Sequence, residues 1–190
     1  MLRQNLLMTT ACTAQPSPAP PPSESPSRES ASPAGSLSPT SSPSPVSFTQ
    51  CEDLVTSELN TALESNGWIS WNTLDQDPSY SPFDILPAGA PEGALSCRWG
   101  QGPEVGTDNV YDLAWAPVDT ATAGEAARAL EADGYRRIET PEGTYLALPQ
   151  DPATGYADED GLGPSFLFTG TDMRWAATRE DLAEIRIALD

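Results

Sequence analysis

From Thr49 onward the apolar positions first follow a helical rhythm. Leu54, Val55, Leu59, Ala62 and Leu63 come after Thr49 and Glu52, which stand at capping-box spacing, and Asn66-Gly67 offers a stop. The same signals predict a second helix, in which Thr122 with Glu125 precedes Ala126, Ala129 and Leu130 and Gly134 ends the run. Thr178 with Asp181, ahead of Leu182, Ile185, Ile187 and Leu189, predicts a short C-terminal helix.

Between the helices the period shifts to two. Residues 94–99 and 109–116 predict neighbouring antiparallel strands, with Tyr111, Leu113 and Trp115 on one face of the second. Segments 135–139 and 144–148 flank Pro141-Glu142-Gly143, and 165–168 and 173–177 flank Gly170-Thr171-Asp172, which predicts two hairpins. Helices interleaved with hairpins, in place of strict strand-helix alternation, predict an α+β fold. Its antiparallel sheet would carry about three helices packed on one face.

Upstream of this patterned region the composition changes. Residues 13–47 contain ten Pro and twelve Ser, which break regular structure and offer little apolar surface to bury. Three parts follow: a signal-like segment 1–12, a disordered Pro/Ser-rich linker 13–48 and an acidic domain 49–190. The first part runs from Arg3 through a short apolar stretch and small residues to Cys12. It is shorter than the ~7–15 apolar residues of a usual signal region, and Thr9 stands where a lipobox usually has Leu. A Cys in this setting is a candidate for lipidation and a membrane anchor. The competing readings are a cytosolic tail with an incidental Cys, and a Ser/Pro docking tail.

Charge narrows the partners. The formal net charge is −19, and the two Arg and two Glu of the first 50 residues cancel, so the whole excess lies in the domain. Such a surface repels phosphate backbones and anionic lipids, which makes nucleic acid a poor partner and leaves the N-terminal anchor as the only expected membrane contact. The absence of Lys fits a GC-rich genome. The absence of His removes the usual activator of Ser and Cys nucleophiles and the commonest metal ligand.

Cys51 and Cys97 are the domain's two cysteines, and in an exported protein they would be joined. The alternatives are two reduced core thiols or, with less support, a zinc site that two thiols without His leave incomplete. Cys51-Glu52-Asp53-Leu54 followed by Cys97-Arg98-Trp99 resembles the small extracytoplasmic domains of actinobacterial lipoproteins and, more distantly, the sensor domains of some mycobacterial receptor kinases. The resemblance implies compartment and fold and transfers no functional residue.

Among candidate sites, Asp158-Glu159-Asp160-Gly161 invites a calcium reading. However, Leu162 and Leu167 stand where an EF-hand needs oxygen ligands, so a solvated acidic loop is favoured. Trp99, Trp115 and Trp175 lie in predicted strands and read as core. Trp68 and Trp71 precede a long polar stretch, 73–92, and with Asp75, Asp77, Tyr80 and Asp84 they form the candidate ligand or partner surface. Paired carboxylates keep a hydrolase formally open, though no spacing selects a pair. No cofactor is expected. The leading expectation is a non-catalytic binding or sensor module of the cell envelope, lipid-anchored or secreted, whose partner is an envelope protein or small ligand. Second comes a structural accessory subunit of an envelope assembly.

Overall fold

In a computed structural model of the chain, the described residues are 47–74, 76, 80–151 and 157–186. The signal-like segment with Cys12, nearly all of the Pro/Ser-rich linker, and Asp75 and Asp77 lie outside them. The element order is α1 (Cys51–Leu54), α2 (Ser57–Ser65), β1 (Ile69–Asn72), β2 (Leu95–Gly100), β3 (Tyr111–Pro117), α3 (Thr120–Ala132), β4 (Arg136–Glu139), β5 (Thr144–Pro149), β6 (Leu162–Phe168) and β7 (Asp172–Ala176), followed by a 3-10 turn at Asp181–Glu184.

The strands form one seven-stranded sheet in the order β1-β2-β3-β7-β6-β5-β4. Every pairing is antiparallel. Two meanders, β1 to β3 and β4 to β7, are joined by α3, and β7 returns to pair with β3. The α+β class and the antiparallel sheet of the sequence reading hold, with sheet predominating. Both predicted hairpins are present. At the β4-β5 turn a Cβ on Gly143 would run into the carbonyl oxygen of Phe168, so the close approach of the neighbouring strand requires glycine.

The helices do not share one face as expected. The first face, carrying Leu95, Cys97, Trp99, Leu113, Trp115, Leu167 and Ala176, buries Phe48, Leu54 and Val55, Leu63 of α2, and Leu182 and Ile185. The second, carrying Ala114, Ala116, Leu146, Phe166, Phe168 and Met173, buries Ala123, Ala126, Ala127 and Leu130 of α3 together with Phe83 and Leu86. Period-two alternation with apolar residues on both sides of β3 and β6 requires a cover on each side. Small residues on β3 and α3 let that helix sit close.

The predicted first helix is two helices. Val55 is extended and bridges Ile185, while Arg186 N–H donates to Leu54 O (2.9 Å). Thr56 then caps α2 by accepting from Leu59 N–H (3.3 Å). Thr49 donates to the Asp53 side chain (3.2 Å) and does not cap the helix. At α3 the cap is Asp119, three residues before Thr122, whose N–H donates to it at 2.7 Å. Gly134, at φ 94°, ends this helix as expected, with Tyr135 N–H donating to Leu130 O (3.0 Å). The predicted C-terminal helix is the 3-10 turn, after which Ile185 is extended; Ile187 and Leu189 lie outside the described residues. Cys51 and Cys97 form a disulfide across a Cα–Cα distance of 5.5 Å, tying α1 to β2.

Candidate functional site

Alternation along β2 sends Cys97 and Trp99 into the first core and turns Arg98 to the second face. The registers place Trp71 of β1 opposite Arg98, and Arg98 opposite Asp112 of β3. The arginine and aspartate form a bidentate pair, Nε to Oδ1 at 2.6 Å and Nη2 to Oδ2 at 2.8 Å. That hydrogen bond raises the already high pKa of Arg98. Because β7 lies beside β3, Trp175 faces Ala114 one step along the same side.

The β2-β3 connection and the segment after β7 complete a cleft of about 400 Å³ lined by Arg98, Thr107, Asp108, Val110, Tyr111, Asp112, Trp175, Ala177 and Asp181. Its volume is at the small end of the ~300–1,000 Å³ usual for ligand sites. Beside the cleft, a Cβ on Gly100 would stand 3.3 Å from both Trp71 Cη2 and Val110 Cγ1, so the glycine lets Trp71 come close to Val110.

Trp175 Nε1, buried in the cleft wall, has no hydrogen-bond partner, while the Tyr111 hydroxyl is held by the Asp181 carboxylate. Burial first, and then the charge of Asp181, pushes the Tyr111 hydroxyl's pKa up, so at neutral pH it keeps its proton. Tyr80 packs on Trp175 with ring centroids 6.4 Å apart, and burial, followed by Tyr135 and Asp84, pushes its pKa to about 12. The cleft therefore presents indole and phenol protons beside carboxylates, with one cation, Arg98, against Asp108, Asp112 and Asp181.

The structure divides the surface expected from sequence. Trp71 borders the cleft through Gly100 and Val110, and Tyr80 reaches it through Trp175. Trp68 packs against the first core instead. Asp84 is exposed and accepts from Ser81 N–H (3.1 Å), shaping the turn that seats Phe83. Trp175, assigned to the core from its strand, is only half-buried and lines the cleft. Thr107, Asp108, Val110, Asp112 and Asp181 were not legible as site residues, because strand register alone brings Arg98 to Asp112 and β7 to both.

Charged groups elsewhere have structural roles. Arg174, 5% exposed, pairs with Asp172 (3.1 Å) and Glu142 (3.3 Å). Glu142 also accepts from Tyr145 OH (2.7 Å). In the acidic loop Asp158 Oδ1 accepts from the backbone N–H of Asp160 (2.9 Å) and Leu162 (2.8 Å), and Arg179 pairs with Asp160 (2.5 Å). Those carboxylates hold a turn. No group of three or more metal-ligating side chains occurs among the described residues, and no helix among them is long and apolar enough to cross a membrane.

No protein-family model matches the chain, and neither does any curated protein or solved structure.

Proposed function

We propose that this chain is a non-catalytic binding or sensor module of a cell-envelope lipoprotein and that it engages its ligand at the strand-end cleft. The observation that carries the reading is the cleft itself, about 400 Å³, where the Arg98–Asp112 pair, Asp108 and Asp181 stand beside the rings of Tyr111 and Trp175. Leaving a buried polar group unsatisfied costs about 1–3 kcal/mol, so such groups are scarce in folded proteins. One such group, the Trp175 indole N–H, stands in the wall of the cleft.

Placement outside the cytoplasm rests on the Cys51–Cys97 disulfide, a bond that persists in oxidising compartments, together with the signal-like segment and the Pro/Ser-rich spacer. Cys12→Ala should release the protein into the medium; unchanged membrane retention removes the lipid anchor from the account.

The accessory-subunit reading draws on a different surface. Ile69 is 54% exposed and Val105 45% exposed, and both adjoin Gly102 beside edge strand β1. A photo-crosslinking residue at position 110, compared with one at 105 and one at 128 on α3, separates the two. In intact cells the binding reading expects an adduct from position 110. An adduct from 105 alone supports the accessory subunit and overturns the cleft.

A further inference from the structure

We propose that β4 is a docking edge for a second copy of this chain, which adds its own β4 antiparallel and joins two sheets into one across a two-fold axis. The contact does not involve the cleft. Its first support is the phase of the backbone. Thr140 N–H donates to Gly143 O (3.0 Å) and Gly143 N–H to Thr140 O (3.2 Å), so these residues form a hydrogen-bonded pair at the end of the β4-β5 hairpin. Antiparallel ladders alternate, and the register makes Ile138 with Tyr145, then Arg136 with Ala147, the next pairs bonded inward. The N–H and C=O groups of Arg137 and Glu139 therefore point away from β5. β4 is the last strand of the sheet, and among the described residues no other backbone hydrogen bond takes these groups. Such a row is a template for another strand.

The second support is charge. A two-fold axis normal to the sheet keeps every residue on its own face, so a copy must set Arg137 and Glu139 against residues of the same parity. Arg137 against Arg137, or Glu139 against Glu139, opposes like charges. The register between them sets Arg137 of each copy against Glu139 of the other, and Ile138 against Ile138. It is also the register in which the outward N–H and C=O groups exchange bonds at both charged pairs. Arg137 has donors to spare: Nε and Nη2 reach Glu131 and Nη1 reaches Glu139 (3.1 Å), but a guanidinium carries five N–H groups. Arg136, Arg137 and Glu139 are exposed and Ile138 is half-buried, so the edge is open to a copy.

A bare edge is usually blunted by Lys or Pro, and β4 has neither. The opposite edge, β1, carries no ionisable side chain that would select a register. Two domains of this net charge repel at long range, but at about 0.15 M salt that field is screened beyond about 8 Å, and the opposed side chains lie closer.

The test is sedimentation equilibrium of the full chain carrying Cys12→Ser, at about 0.15 M salt and over a range of concentrations. The chain should pass reversibly from monomer to dimer. Arg137→Glu and Glu139→Arg each oppose like charges at both pairs, and each should weaken the dimer about tenfold or more. An equimolar mixture of the two should restore association as a heterodimer, because every Glu then faces an Arg. Glu125→Gln, on the exposed side of α3, should leave the dimer unchanged. Ile138→Cys reads the register: residues opposed without hydrogen bonds lie only about 4.5 Å apart between Cα atoms, so it should oxidise in air to a covalent dimer, whereas Glu125→Cys should not.

Thermal unfolding shows whether each single variant has folded, and recovery in the mixture requires folded chains. A chain that stays monomeric at every concentration, a dimer that ignores both reversals or fails to recover in the mixture, or the lack of a covalent dimer at Ile138→Cys overturns the proposal. So does capture by Ile138→Cys, in an envelope extract, of a different polypeptide in place of a copy, which gives the edge to a foreign strand.

Discussion

At the scale of single residues, Thr56 joins two distant parts of the chain. Its hydroxyl accepts from Leu59 N–H to cap α2 and donates to Glu184 Oε2 at 3.1 Å, and its backbone N–H donates to Glu184 O at 3.3 Å. Thr56→Ala should therefore lower stability by about 1 kcal/mol, the usual scale of a lost cap, as read from urea unfolding. Arg137 is a second such residue. Hydrogen bonding to Arg137 lowers the pKa of Glu131 from 4.5, and bonding to Thr144, followed by Arg137, lowers that of Glu139. A carboxylate whose folded pKa is depressed contributes stability above its unfolded value and loses it as pH falls through the folded one. The stability gap between the wild type and Arg137→Met should thus be present at pH about 7 and close below about 4.5; a gap that persists at pH about 3 contradicts this origin. Local polar grammar was partly legible at this scale. Thr178 and Asp181 do exchange side-chain and backbone hydrogen bonds as their spacing suggested. Thr122 lost its expected role to Asp119, whose carboxylate caps the helix, and Thr49 gives its hydroxyl to the Asp53 carboxylate.

At the scale of elements, the sheet's inner strands were readable because β2 and β3 alternate strongly, whereas β1, Ile-Ser-Trp-Asn, has too little contrast to announce itself and forms by pairing with β2. The division of the first helix was invisible for a related reason. Val55 fits a helical stripe, yet its backbone is taken by Ile185, more than a hundred residues away in sequence. The placement of helices on both faces follows from residues such as Ala114 and Ala116, too small to signal burial but needing the close cover of α3. The disulfide was expected from the two cysteines of the domain together with the reading of export, ahead of two reduced thiols or a zinc site. Closing a separation of 46 residues, it should stabilise the domain by about 4 kcal/mol through the unfolded chain. Cys51→Ser with Cys97→Ser should shift the urea midpoint accordingly and preserve the far-UV circular dichroism spectrum. An unchanged midpoint would remove the staple from the energetics.

At the scale of the whole molecule, the return of β7 to β3 makes the site. That pairing brings Trp175 to the face where Arg98 and Asp112 already lie, and the chain beyond it adds Asp181 beside Tyr111. The sequence reading came close through Trp71 and Tyr80, which border the cleft, because exposed aromatics near a long polar loop are a local signal. The carboxylates escaped it. In a chain so rich in acids, only tertiary pairing distinguishes Asp108 and Asp181 from the rest.

The most direct test of the cleft as a binding site is a ¹⁵N correlation spectrum of the full-length protein's indole N–H groups, with Trp71 and Trp175 assigned by substitution to Phe, recorded before and after addition of a cell-envelope extract. The account predicts that the Trp175 resonance moves as its N–H gains an acceptor, while the buried Trp115 holds its position. Perturbation confined to tryptophans away from the cleft, or a Trp175 resonance unmoved by every fraction of the extract, would contradict it.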